Sequence, residues 1–233
     1  MQGLIAALGW MTILPMPKQE SIGEMQKILP WLPVTGLVVG LFVVLGCYLG
    51  ALFDPWLGAL FGVFVWLLIT GGLHADGLAD LTDALGASHS NAERFIAVLK
   101  DPHIGSFGTL ALIFLVVSKL VLLKLLIDLE AWWGVLLIPV WARLGVLFWS
   151  LLPALTDGFA ALLANVDISY HAKVWLGGLV FISLLLGTYL WLGVLVIYAW
   201  YCFLKYRIKG MNGDCLGAGI ECSEIALLTL LLI

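Results

Sequence analysis

An all-α, polytopic membrane bundle of six or seven transmembrane helices, with one polar cytoplasmic loop, is the fold this sequence predicts. Three observations predict it. Of 233 residues, 63% are hydrophobic and only 11% are charged, where a soluble domain carries about 25% charged residues. The mean hydropathy of +1.10 marks more apolar surface than a soluble core of this size buries, but suits helices of roughly 20 apolar residues in a bilayer. Lys and Arg residues are also bunched, as they are on the cytoplasmic side of membrane proteins. The lipid bilayer is therefore an expected partner, and residues 1–233 read as one integral membrane domain. A net charge of −4 is no polybasic signature and argues against nucleic acid. Cys47, Cys202, Cys215 and Cys222 form no CxxC pair, so disulfides are not expected. The N-terminus lacks the basic start and cleavage site of a signal peptide.

The elements follow in order. Residues 3–16 are apolar but short, and the stretch 18–28 is polar, with Lys18, Glu20, Glu24 and Lys27. A first span runs from about Val34 to Phe53. Asp54-Pro55 breaks it, and a second from about Trp56 to Leu73 completes a hairpin. Residues 74–106 form the longest polar segment. Apolar runs resume at about 107–127, 131–152 and 174–203. Lys205, Arg207 and Lys209 follow, then Gly213-Asp214 and an apolar tail broken by Glu221 and Glu224. The segments 18–28, 74–106 and 205–209 hold seven of the eleven Lys and Arg residues, which places all three on the cytoplasmic side. The number of crossings between 106 and 205 must then be even. Three runs are visible, so the 30-residue run is expected to be two short spans meeting near Gly187-Thr188, or one run is re-entrant. Trp31, Trp56, Trp132, Trp133, Trp175 and Trp200 lie near span ends, as interfacial anchors do.

Chemistry concentrates in three places. Asp76, Asp80 and Asp83 are spaced i, i+4, i+7, which puts three carboxylates on one helix face. Like charges in one stripe repel, and a bound divalent cation would offset this; clustered hard oxygens suit magnesium, with manganese as the alternative. A merely solvated acidic helix is the competing reading. Lys100-Asp101-Pro102-His103-Ile104-Gly105-Ser106-Phe107-Gly108 is a turn that could hold a phosphate against a helix start; the competing reading is an ordinary helix-entry loop. Asp214, Glu221 and Glu224 share a helix face inside an apolar tail, where charge is costly and usually functional; the competing reading is a polar seam between helices. His74 and His103 flank the acidic segment as candidate ligands or acid–base groups, while His89 and His171 read as bland. Lys119 and Lys124 read as snorkelling, and Arg143 as deep enough to face the site and bind phosphate.

At these segments the sequence resembles the cobalamin synthase family, the adenosylcobinamide-GDP ribazoletransferases. The carrying residues are Gly72-Leu73-His74-Ala75-Asp76-Gly77-Leu78-Ala79-Asp80, Asp83, Lys100-Asp101, Ile104-Gly105-Ser106-Phe107-Gly108, and Gly213-Asp214-Cys215-Leu216-Gly217-Ala218 with Glu224. The family commonly has arginine at the place of His103, glycine at Lys209 and threonine at Asn212. The resemblance implies a transferase with corrinoid and nucleotide substrates. A ribose hydroxyl of α-ribazole, or of its 5'-phosphate, displaces GMP from adenosylcobinamide-GDP in the last nucleotide-loop step of cobalamin biosynthesis. It implies Asp76, Asp80 and Asp83 as ligands of Mg2+, with Asp214 and Glu224 as further metal candidates. Asp76, Asp80, Asp101 and Asp214 are the catalytic candidates. His74, Lys100, His103, Ser106, Arg143 and Asn212 are the substrate-binding ones. It places the site at the cytoplasmic face of a prokaryotic inner membrane and leaves a homo-oligomer open. Rival readings are a CDP-alcohol phosphotransferase, whose DxxDGxxAR core is absent, and an ion-coupled transporter, which predicts acids near mid-span.

Overall fold

The computed structural model describes residues 2–16, 25–88, 91–156, 159–163 and 166–233. Lys18, Glu20, Glu24 and His89 lie outside them. The described chain forms α1 (Gln2–Met11), α2 (Met25–Ile28), α3 (Leu32–Ala51), α4 (Pro55–Thr70), α5 (Leu73–Ser88), α6 (Ala92–Leu99), α7 (Ser106–Asp128), α8 (Trp132–Trp149), α9 (Phe159–Leu163), α10 (Ser169–Leu185), α11 (Gly193–Phe203) and α12 (Gly213–Leu230). Among the described residues there is no strand, only a single parallel bridge between Ala154 and Met211.

Local chemistry sets the breaks. Asp54 caps α4 by accepting a 2.8 Å hydrogen bond from the Trp56 amide, with Pro55 at the first helical position, where its missing N–H costs nothing. Gly71 and Gly72 then take left-handed φ values of 62° and 70°, which glycine adopts without a Cβ clash. They turn the chain by 87° into α5. We read α4 as the crossing and α5 as the segment that leaves it.

Four stretches are long and apolar enough to cross a bilayer: Gln26–Ala51, Ser106–Asp128, Trp132–Trp149 and Tyr189–Ile208. The bent pair α4–α5 makes five. This is fewer than the six or seven expected, and length explains the difference. α10 is apolar but has 17 residues, about 26 Å at 1.5 Å per residue, and α1 is shorter still. The run 174–203 does break where expected, at Gly187 (φ 63°).

α8 and α12 form the centre and are buried along most of their length. α12 packs on α5, α7 and α8, while α3 packs on α4 and α8. The outer faces of α3, α4 and α7 expose Leu41, Leu45, Phe64, Leu110, Phe114 and Val117, an apolar belt fit for lipid. Trp31, Trp56 and Trp133 are exposed near helix starts. Trp175 and Trp200 instead turn inward, donating to the carbonyls of Pro30 (2.9 Å) and Cys215 (3.2 Å).

Lipid-facing helices gain little from burying apolar side chains against each other, so close backbone approach carries their packing. α3 has two Gly-x-x-x-Gly faces. Gly36 and Gly40 lie on the Pro139 and Leu136 carbonyls of α8, and Gly50 lies on Leu57 and Gly58 of α4; a methyl at any of them would collide with backbone. Gly40→Ala is therefore expected to destabilise the protein by about 1–3 kcal/mol, read as a lower thermal midpoint in detergent. Gly178→Ala on α10, with nothing within 4 Å of an added Cβ, should leave the midpoint unchanged.

Candidate active site

Segments about 140 residues apart in the chain meet where α5 crosses α12. A Cβ on Gly77 would stand 2.9 Å from the Asp214 Cα, and one on Gly217 would stand 3.2 Å from the His74 Cα. These glycines let the two backbones touch. The contact sets Asp214, in the first turn of α12, beside the α5 carboxylates. Asp76 is exposed, and Asp80 and Asp214 are half-buried. Among the described residues, Asp76 and Asp80 have no basic or hydrogen-bonding side-chain partner. Burial, reinforced by the charges of Asp76, Asp214 and Asp83, raises the Asp80 carboxyl to about 6. That is the signature of negative charge gathered without a counter-ion.

Asn212 fixes the third carboxylate. Its Oδ1 accepts from the Cys215 amide at 2.9 Å, capping α12, and its Nδ2 donates to Asp214 Oδ2 at 2.7 Å. Both ends of the amide are thus used within the chain. Asn212 thus orients Asp214.

Asp83 has a different task from its two neighbours on the stripe. It is buried, and its oxygens accept from the backbone amides of Gly105 (2.7 Å) and Gly108 (2.9 Å). It therefore fills the N-terminus of α7, where a carboxylate is favoured by free N–H groups and the helix dipole. A Cβ on Gly105 or Gly108 would strike this carboxylate. The glycines proposed to cradle a phosphate instead admit Asp83, and Asp83 leaves the metal-ligand set. Asp83→Ala should cost about 2–3 kcal/mol of stability, because the Gly105 and Gly108 amides, the second of them buried, lose a charged acceptor. Denaturant titration checks this, with Asp83→Asn expected to retain part of the loss.

The rest of the polar turn faces outward. Lys100, Asp101, His103 and Ser106 are all exposed. Asp101 Oδ1 accepts from His103 N (3.0 Å) and meets His103 Nδ1 at 2.7 Å; these bonds, the side-chain one first, hold the Asp101 carboxyl below its ordinary range. The pair is a self-contained turn and is not assembled with the crossing. His74 is buried, so its ring offers no open face to a substrate.

Glu224 and Arg143 also differ from expectation. Both are fully buried and bonded to each other, Arg143 Nη1 to Glu224 Oε1 at 2.6 Å. Lys119 Nζ lies 2.6 Å from both Glu221 Oε2 and Glu224 Oε2, and 4.1 Å from the Trp66 ring centroid. Two acids and two bases neutralise each other inside the bundle. Glu224 is thus spent on two bases and Lys119 does not snorkel, while Arg143 Nε and Nη2 stay buried without a hydrogen-bond partner among the described residues. The acids near mid-helix, which an ion path would need, are spent on these ion pairs.

Among the described residues no three His, Cys, Asp or Glu side chains converge tightly enough to form a metal cage. Magnesium seldom uses one; it takes one or two carboxylates and completes its shell with water and substrate phosphates. Asp76, Asp80 and Asp214, unpaired with any base, fit that donor set.

The family model described as cobalamin-5-phosphate synthase matches residues 3–232. The chain belongs to the cobalamin-5-phosphate synthase family. Three relatives bear the name adenosylcobinamide-GDP ribazoletransferase. That of Thiobacillus denitrificans is 44% identical, with 99% of this chain and 94% of the relative covered. Those of Laribacter hongkongensis and Novosphingobium aromaticivorans are 43% identical (99% and 96% covered) and 40% identical (98% and 95% covered). No solved structure matches. For a cobalamin-5-phosphate synthase family member the crossing at Gly77 and Asp214 is the informative geometry. Sequence reasoning named the three aspartates but missed Glu221 and Lys119 as partners and Asn212 as the positioning group. A charge count over the apolar runs was the available signal for the first two.

Proposed function

We propose that this chain joins α-ribazole, or its 5'-phosphate, to adenosylcobinamide-GDP and releases GMP, giving adenosylcobalamin or its 5'-phosphate. One observation carries the chemistry: in a member of this family, three carboxylates without a basic partner meet where α5 crosses α12. The ribazole hydroxyl oxygen forms a bond to the phosphorus that bears cobinamide, and the bond from that phosphorus to the GMP oxygen breaks. Such transfer needs in-line positioning and neutralised phosphate charge. Asp76 and Asp80, with Asp214, would hold magnesium, which when bound supplies that neutralisation. Asp214 Oδ2 is occupied by Asn212, so Oδ1 is the oxygen we assign to accept the hydroxyl proton.

The deciding experiment is GMP release. Purified protein with magnesium should liberate GMP from GDP-activated cobinamide only when ribazole is added, and chelator should abolish this. GMP release unaltered by chelator would exclude the metal; no release at all would exclude the reaction.

We place the site on the cytoplasmic side of a prokaryotic inner membrane. α7, α8 and Tyr189–Ile208 are three stretches long enough to cross, and with the shorter, apolar α10 taken as a fourth crossing the number is even and returns the chain to its starting side. In a cysteine-free background, Ala97→Cys and Lys205→Cys should both react with an impermeant thiol reagent only in inside-out vesicles. Labelling from opposite sides would overturn the topology.

A further inference from the structure

We infer that the cavity between the end of α5, α6 and the turn at 204–209 is a nucleoside-monophosphate subsite, which holds the guanosine phosphate before it leaves. This inference rests on the reaction proposed above. The cavity has a volume of about 260 Å³ and is lined by Ser88, Asn91, Phe95, Tyr206, Arg207 and Lys209, among others. That volume is just under the range of pockets for whole small ligands. It accepts a nucleotide moiety and excludes a corrin ring.

Its chemistry is opposite to that of the aspartate crossing. Arg207 and Lys209 bring two positive charges and the lining holds no acid. Phe95 and Tyr206 offer ring faces of the kind on which a purine stacks. Asn91 Oδ1 is spent on the Arg94 amide at the start of α6, and its Nδ2 makes no hydrogen bond among the described residues. Arg207 and Lys209 supply the cations that a nucleotide phosphate attracts.

Its position suits the same substrate. Ser88 lies eight residues beyond Asp80 on α5, about 12 Å along the helix. The opposite wall runs through Lys209 into Asn212 and Asp214. Both walls are thus continuous with the two elements that carry the carboxylates, so one extended ligand can span cavity and crossing. Lys209 is held in place by a left-handed backbone, φ 68°, and by its amide bond to the Leu204 carbonyl at 2.6 Å. A β-substituted residue at that φ is uncommon, and it projects a cation at a position where glycine would serve the turn alone.

The test uses full-length protein in nanodiscs, with GMP as the calorimetric probe and ribazole 5'-phosphate as the second arm. Lys209→Gly keeps the left-handed turn and removes the charge; Arg207→Gln and Phe95→Ala change exposed or half-exposed groups. Each cation removed should weaken GMP binding about tenfold, and KM for GDP-activated cobinamide should rise with it. KM for ribazole should hold. Unchanged GMP affinity in all three variants overturns the subsite, as does a loss confined to ribazole 5'-phosphate. Wild-type protein that binds GMP yet releases none from GDP-activated cobinamide would instead defeat the reaction and leave the subsite standing.

Discussion

Asp80→Asn is expected to reduce turnover by about 100- to 1,000-fold, the scale of losing one well-placed charge-stabilising group. The carboxylate stands amid the charges of Asp76, Asp83 and Asp214, so it is the member of the trio best placed to share a cation with either helix. The substitution removes charge and keeps shape. Because the empty site is held together against repulsion, the variant should melt no lower than wild type in metal-free detergent. Magnesium should raise the wild-type midpoint and leave that of Asp80→Asn nearly fixed, since only a ligand that binds the native state stabilises it. Near-normal turnover at saturating magnesium would remove Asp80 from the site. Asp76→Asn and Asp214→Asn should show the same pattern, which separates them from Asp83→Ala, where stability falls first.

The second large effect lies deeper. Glu224→Ala or Arg143→Ala should each destabilise the protein by about 3–5 kcal/mol, because either leaves a fully buried charge without its partner. The double variant Arg143→Met/Glu224→Met leaves Lys119 with Glu221 and restores neutrality. It should be more stable than either single alanine variant, a non-additivity that a double-mutant cycle on unfolding free energies measures. It also discriminates roles. A Glu224 that ligated metal would leave the rescued protein inactive; a Glu224 that only neutralises Arg143 would leave it active.

Much of this architecture was legible in residue order. Hydropathy located the hairpin of α3 and α4, and Gly187-Thr188 marked the division of the long apolar run. The spacing of Asp76, Asp80 and Asp83 placed one carboxylate face on α5. That spacing does not say how the face is covered. Asp83 lies under the start of α7, so a position on the same stripe as Asp80 became a cap for amides 22 and 25 residues away. Glycines at 105 and 108 are compatible with a phosphate turn or an ordinary helix entry, and the room they leave is filled by a carboxylate. Glu221 and Glu224 looked unpartnered because their bases lie in other helices. Local sequence reports spacing along one helix; neutrality inside the bundle is settled between helices.

The ion pairs of α12 have a consequence in time. Lys119 precedes Glu221 by 102 residues and Glu224 by 105, and Arg143 precedes Glu224 by 81. At a synthesis rate of about 5–20 residues per second, the acids emerge roughly 4–20 s after the bases. During that interval the growing chain carries two cations in apolar segments, each costing about 2.5–3.5 kcal/mol at a helix centre. The nascent bundle is held in an electrostatically unfinished state until its final helix arrives. A ribosome-stalled chain ending near residue 210 should therefore be a preferred substrate for membrane quality-control proteases, and extension through Leu230 should release it from them.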